Sequence, residues 1–265
     1  MSVPRILHYP GSKWSMADWI ISHMPEHTTY LEPFFGSGAV LFSKDRAKLE
    51  TVNDLDGEVS NLFQVIRDDP EALAREIHWT PYARAEYDRV YELDGSPLER
   101  ARRFLVRCWM ARGGMTSARP GWRHIIELNA PHAAQDWQLL PEKILTVTDR
   151  LRGVQIECQP AVKLIERYRR LKVLIYADPP YILSTRNNRM YKNEMKDADH
   201  EELLDTLLAH PGPVLISGYD HPMYNDRLRD WHREERKAQA EAGRTRTEVL
   251  WINPIAATAG QQRLF

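Results

Sequence analysis

Cysteine is close to missing from this chain: Cys108 and Cys158 are the whole supply in 265 residues. That excludes a disulfide framework and a cysteine-based metal site, and both thiols are read as reduced. A surplus of either charge is missing too, with 36 basic residues against 37 acidic ones. Global charge therefore does not draw the protein to polyanions, and any nucleic-acid surface has to be local. No apolar window reaches bilayer length, and the opening "MSVPRILHYPGSKW" lacks the apolar core of a signal peptide. The expectation is a soluble cytoplasmic protein without a membrane partner. Internal repeats and low-complexity tracts are absent, and His200, His210, His221 and His232 show no metal-ligand pattern.

What is present is core material. An apolar content of 43% with 8 Trp and 11 Tyr suffices for one large α/β domain, or for one domain carrying an insertion. The segment "HTTYLEPFFGSGAVLFS" reads as a strand at "YLE", a glycine turn, and a helix from about Ala39. "LETVNDLDGEVSNLFQVIRDDPEAL" repeats the theme, with Val59, Leu62, Phe63 and Ile66 on one helix face. Between Pro70 and Arg152 the rhythm lapses into helical segments around a Gly/Pro-containing patch, "GGMTSARPGWRHIIELN". Alternation resumes with "VQIECQ", "AVKLIERYRR", "KVLIYA", "DADHEELLDTLLAH" and "PVLISGY", and two strands close the chain at "WHREERKAQ" and "TEVLWINP". The pattern predicts a doubly wound, mostly parallel sheet ending in an antiparallel strand pair. It divides the chain into a sheet domain, residues 1–69 and 153–265, and a helical insertion, residues 70–152, with a hairpin or ordered loop.

Ligands of such a sheet bind at the C-terminal ends of its strands. Four segments fall there. In "EPFFGSG", Gly36 and Gly38 let the backbone approach a ligand, although the turn alone equally suits any strand-to-helix junction. Asp54, at the next strand end, can accept hydrogen bonds from a ribose diol, where a lone acid would otherwise cap a helix. "DPPY", residues 178–181, ends the apolar strand "VLIYA". Asp178 and a carbonyl held still by Pro179 and Pro180 can accept the two N–H bonds of an exocyclic aromatic amine, leaving its lone pair exposed. Tyr181 can stack on the ring that carries that amine. The fourth segment, "YPGSKW", offers the Tyr9 ring and the Lys13 cation from the N-terminal arm.

Taken in order, these residues resemble the Dam-like family of N6-adenine DNA methyltransferases over nearly the whole chain. The resemblance implies S-adenosylmethionine as cofactor and double-stranded DNA as partner, with a flipped adenine as the methyl acceptor. It implies Tyr9 and Lys13 as cofactor contacts and places Glu32, Pro33, Phe34, Gly36 and Gly38 in a methionine-binding loop. Asp54 and Leu55 fall in the ribose-binding segment, and Gln159 falls near the cofactor adenine, where an acidic residue is often found. Asp178 is implied in both substrate positioning and the cofactor site. "TEVLWINP" is similar to the last strand of phage-encoded members.

The same resemblance makes the insertion a target-recognition region. From Arg100 to His124 it holds seven arginines and no acid, a composition suited to phosphate contact and guanine reading. Arg112, Arg119 and Arg123 are the expected DNA-facing residues. Arg102, Arg103 and Arg107 lie on a helix and equally fit a solvated face, and Trp109 fits a core position. Beyond Tyr181, Arg186 and Arg189 sit in a polar loop that can close over a flipped base, and Arg244 and Arg246 are weaker phosphate candidates. Cytosine N4, an RNA or a protein amide would place similar demands on the acid and two prolines, and a DNA-binding protein that had lost catalysis would keep the fold. No obligatory protein partner is evident, and the recognition sequence and any restriction partner stay open.

Overall fold

The computed structural model describes residues 3–91, 94–112, 119–124, 133–186, 189–239 and 245–261. Its centre is a seven-stranded sheet built from β1 (Thr29–Glu32), β2 (Leu49–Asn53), β3 (Val154–Glu157), β4 (Val173–Ala177), β5 (Val214–Tyr219), β6 (His232–Gln239) and β7 (Thr245–Ile252). The spatial order is β3-β2-β1-β4-β5-β7-β6. The first five pair in parallel, whereas β7 runs antiparallel to both β5 and β6. This is the doubly wound, mostly parallel sheet with an antiparallel end that the alternation predicts.

Side chains alternate across each strand, so the two faces draw on different residues of the same segment. Leu174 and Tyr176 of β4 join a cluster with Tyr30, Val52, Leu62 and Phe63. Val173, Ile175 and Ala177 join a second cluster with Leu164, Leu203 and Leu207. All five β4 residues are buried, as expected for a central parallel strand covered on both sides.

Helices α1 (Ala17–Ser22), α2 (Ala39–Ser43), α3 (Gly57–Asp68), α4 (Pro70–Trp79), α5 (Arg84–Arg89), α6 (Pro97–Met110), α7 (Ala133–Gln138) and α8 (Leu140–Leu151) follow one another before β3, interrupted by β1 and β2. Then come α9 (Ala161–Arg167), α10 (Asp197–Leu208), α11 (Pro222–Arg227) and α12 (Pro254–Gln261), with a short 3₁₀ turn at Leu183–Thr185. Helix α3 starts where Asp56 accepts the Glu58 N–H at 3.1 Å, and its face of Val59, Leu62, Phe63 and Ile66 is fully buried. Each such side chain contributes roughly 1.5–3 kcal/mol by leaving water. Ser96 caps α6 by accepting the Glu99 N–H at 3.2 Å, with Pro97 at the first helical position.

The helices of the insertion share a core with the sheet. Helices α4, α6 and α8 pack on α3 and on one another, inside the cluster that also holds Ile6 and Leu7. Asp69 alone separates α3 from α4, and its carboxylate accepts the Ala72 N–H. The division at residue 69 follows a change in strand rhythm, while the packing continues across it. Helices α1, α7 and α11 have six residues each and escape the sequence reading, because fewer than two turns do not establish a 3.6-residue period.

Candidate functional site

The chain runs from β1 outward to β2 and β3, then crosses to β4 and continues the other way to β5. The loops after β1 and β4 therefore diverge at the switch point, leaving a crevice at the C-terminal strand ends. A cleft of about 460 Å³ lies there. Of the residues expected to bind cofactor, Tyr9, Lys13, Glu32, Phe34, Gly36, Asp54, Leu55 and Asp178 line it. Pro180 lines it too, whereas Pro33, Gly38, Gln159, Pro179 and Tyr181 do not.

Gly36 has a left-handed backbone with φ of 49°, and a Cβ there would lie 3.3 Å from the Tyr9 ring. That conformation lets the Gly36 N–H donate to Asp54 Oδ2 at 2.9 Å. The Asp56 N–H donates to Asp54 Oδ1, also at 2.9 Å. Burial raises the Asp54 pKa to about 6, and these two N–H bonds hold it from going further. Gly38 is left-handed too, with φ of 71°, and a Cβ there would also collide with the Phe42 and Phe35 rings, so its smallness serves packing at the start of α2. Asn53 carries no signal in the sequence, yet it ties three loops together. Its Nδ2 donates to the Pro33 carbonyl at 2.9 Å and the Gln159 carbonyl at 3.0 Å, and its Oδ1 accepts the Gln159 N–H at 3.0 Å. Pro33 and Gln159 thus shape the cleft through their backbone, while the Gln159 side chain donates to Glu157.

Glu32 is 2% exposed and accepts the Tyr30 hydroxyl at 2.8 Å. Burial pushes its pKa up to about 8, opposed by the Tyr30 bond and reinforced by the charge of Asp178. Across the cleft, Asp178 accepts the Ser217 hydroxyl on Oδ1 at 2.7 Å and pairs through Oδ2 with Lys13 Nζ at 3.0 Å. Burial works against the Lys13 charge, but Asp178 and then Glu248 outweigh it and raise the pKa. Lys13 also donates to the Gly11 carbonyl at 2.7 Å and stands 4.8 Å above the Tyr181 ring.

Tyr181 is 8% exposed, its ring edge-on to Tyr219 at 4.5 Å between centroids and its hydroxyl donated to Glu248. Its ring thus meets Lys13 and Tyr219 rather than lining the cleft. Ser217 and Glu248 were not singled out in the sequence. Ser217 lies within the buried strand β5, and a small polar residue in an otherwise apolar run was its only signal. Glu248 had none, because it sits within the alternation of an antiparallel strand.

The loop after the 3₁₀ turn is pinned beside Tyr181. Arg186, expected on DNA, is instead buried: its side chain is 3% exposed, donates to the Tyr181 carbonyl at 2.8 Å, and forks onto Glu194. Glu194 in turn accepts the N–H groups of Met190 and Tyr191 at 2.7 and 3.0 Å. The Tyr191 hydroxyl donates to the Pro10 carbonyl at 3.2 Å, and Lys192 approaches Asp56 at 3.6 Å. Arg189 is exposed.

In the insertion, an antiparallel bridge joins Ala111 to Trp122, flanked by Arg112 N–H to Gly121 O at 2.9 Å and Arg123 N–H to Met110 O at 2.6 Å. This is the base of the expected hairpin, and residues 113–118 lie outside those described. Arg112 is exposed and approaches His124 at 3.4 Å. Arg119 pairs with Asp88 at 2.6 Å, with both side chains 52% exposed. The α6 arginines are committed elsewhere. Arg100 and Arg107 pair with Glu58, Arg102 with Glu86 and Glu99, and Arg103 with Glu99 and Asp94. Trp109 is a core residue whose Nε1 donates to the Ile6 carbonyl at 2.8 Å. Arg244 and the Arg246 side chain lie outside the described residues. No helix among the described residues is long and apolar enough to cross a membrane.

Comparison with known proteins identifies what these loops belong to. Three relatives named DNA adenine methylase align along almost their full lengths. They come from Salmonella typhi (23% identical, 92% of this chain and 91% of the relative), Escherichia coli K12 (25%, 92% and 91%) and Serratia marcescens (26%, 90% and 90%). Among solved structures, a precorrin 8W decarboxylase from Methanobacterium thermoautotrophicum covers 92% of the chain and 91% of its own. Its 9% identity and TM-score of 0.39 carry no inference. A family model described as D12 class N6 adenine-specific DNA methyltransferase matches residues 9–242, which takes in every residue that lines the cleft. The chain belongs to the D12 class of N6 adenine-specific DNA methyltransferases.

Proposed function

We propose that the cleft binds S-adenosylmethionine and that Asp178 receives the N6 amine of an adenine flipped out of double-stranded DNA. The observation that carries this reading is that Asp54 and Asp178, at the ends of β2 and β4, face one cleft.

The residues present fit such a cofactor. The cleft volume of about 460 Å³ lies in the range of small-molecule sites. Asp54 keeps a carboxylate with a burial-raised pKa at one end, which a pair of hydroxyl donors would stabilise in its charged form. Glu32 is a second buried acid whose charge is suppressed for want of enough positive neighbours, so a bound cation would favour its ionised form. Tyr9 and Phe34 supply aromatic walls, and Leu55 is 51% exposed at the lip. When bound, S-adenosylmethionine supplies an electrophilic methyl group on a sulfonium that leaves as a neutral thioether.

The chain's own part is to hold the amine. The lone pair of an exocyclic aromatic nitrogen is delocalised into its ring. Accepting one N–H on Asp178 and the other on a carbonyl of the Asp178–Pro180 segment favours a pyramidal nitrogen. Pro179 and Pro180 fix φ and hold that carbonyl still. Asp178 need not be a strong base beforehand, because the nitrogen becomes acidic only as it gains positive charge. Positioning supplies much of the acceleration.

The strands and helices of 1–69 and 153–265 form the catalytic part in this reading, and 70–152 recognises the target site. Arg112, Arg119, Arg123 and Arg189 remain the candidate DNA contacts. The Arg119–Asp88 pair is exposed and worth about 0–1 kcal/mol, so a phosphate can displace the aspartate. Mass spectrometry of nucleosides from duplex DNA incubated with enzyme and tritiated S-adenosylmethionine tests the reading. N6-methyladenine is expected. N4-methylcytosine, or label only in RNA or protein, refutes it.

A further inference from the structure

Asp178 has two oxygens, and two different elements hold them. Lys13 reaches Oδ2 from the N-terminal arm at 3.0 Å, on a flexible stem whose ammonium is shared with the Gly11 carbonyl. Ser217 reaches Oδ1 from the interior strand β5 at 2.7 Å, with only 2% of its surface exposed.

The direction of the second contact follows from what each group can do. A carboxylate only accepts, so the single Ser217 proton is donated to Asp178. The Ala177 carbonyl, 3.4 Å from Ser217 Oγ, is the poorer acceptor. Ser217 then has a lone pair left for the Tyr176 hydroxyl at 3.1 Å. The result is a directed chain from Tyr176 to Ser217 to Asp178, rooted in two adjacent parallel strands. The short, buried serine has few ways to move, unlike the lysine. It therefore sets the rotation of the carboxylate about its last torsion.

We infer that Ser217 is a positioning residue for methyl transfer. It fixes Asp178 Oδ1 and thereby turns the remaining lone pair of Oδ2 toward the adenine amine. This rests on Asp178 being the acceptor of that amine. The family match fixes the reaction class but says nothing of this serine.

The test compares Ser217→Ala, Ser217→Thr and Asp178→Asn in full-length enzyme. Single-turnover methyl transfer is measured at saturating tritiated S-adenosylmethionine, with duplex DNA free of N6-methyladenine. Misplacing a reacting group by about 1 Å costs on the order of 100-fold, so Ser217→Ala is expected to slow the step by about 10- to 100-fold. Cofactor and DNA dissociation constants should stay within about twofold and the melting temperature nearly unchanged, because the lost hydroxyl touches neither ligand. Ser217→Thr keeps the donor and should recover most of the rate. A Ser217→Ala rate within twofold of the parent overturns the inference. So does a threonine variant as slow as the alanine one, or a loss seen in the dissociation constants with the saturated rate intact. If Asp178→Asn is inactive while Ser217→Ala is not, the inference about Ser217 alone fails. If Asp178→Asn retains the parent rate, the reading of Asp178 falls and this inference with it.

Discussion

Lys13 and Asp178 form a nearly buried ion pair at 3.0 Å that fastens the N-terminal arm to the end of β4, across 165 residues of sequence. The two side chains are 6% and 18% exposed. Removing one partner leaves the other charge stranded, which commonly costs about 3–5 kcal/mol. Asp178→Ala is therefore expected to abolish methyl transfer and also to lower the melting temperature. Adding Lys13→Met should restore part of the stability without restoring activity. Thermal melts of the single and double variants beside a tritiated-methyl assay check this, and equal melting temperatures would refute the coupling.

Cofactor affinity should fall as pH drops through about 6. Burial raises the Asp54 pKa to that value, and only the ionised carboxylate accepts hydrogen bonds at both oxygens. Binding that prefers the charged form weakens by up to about tenfold for each pH unit below the free-protein pKa. Calorimetric titration from pH 5 to 8 reads the slope. Asp54→Asn should bind weakly and show a flat profile over the same range.

Glu32 makes the opposite prediction for stability. Its folded pKa of about 8 stands above the ordinary 4.5, so the folded protein holds a proton that the unfolded chain has already lost. The resulting stabilisation is full below pH 4.5 and disappears as pH rises through about 8. The slope is on the order of 1 kcal/mol per pH unit in that window. Glu32→Gln should flatten it, as measured by melting temperature against pH in the absence of ligand. An unchanged slope would place the titrating group elsewhere.

Arginines on the two sides of the Asp178–Tyr181 segment should separate by ligand. Arg119→Ala and Arg123→Ala are expected to weaken DNA binding and to reduce its salt dependence by about one counterion each, with cofactor affinity intact. Arg186→Ala should do the reverse. It strands Glu194 and loosens the loop that carries Tyr191 and Lys192 to the cleft rim. A buried acceptor without its partner costs about 1–3 kcal/mol, so cofactor affinity should drop by about tenfold or more. Fluorescence anisotropy of labelled duplex at two salt concentrations distinguishes the two groups.

Periodicity made most of the fold legible. Val59, Leu62, Phe63 and Ile66 lie on one buried face, and "VLIYA" is a central strand, because burial imposes these repeats on any sequence. The acids at strand ends were legible for the same reason, since strand direction determines where Asp54 and Asp178 emerge. Contacts between distant loops were not. Asn53 looks like any turn residue until its three hydrogen bonds to Pro33 and Gln159 are seen. Arg186 reads as an exposed cation because its counter-charge, Glu194, lies eight residues away in a loop with no repeat. The α6 arginines read as a basic stripe because their acids come from other elements, Glu58 and Glu86 among them. Charge composition along a segment cannot report pairing across the fold.

Strand β7 lies between β5 and β6, and it carries Glu248 to the Tyr181 hydroxyl. That strand comes later in the chain than every segment that lines the cleft. The wall behind Asp178 thus closes through a contact spanning 67 residues of sequence, the long-range kind that slows folding rather than speeding it.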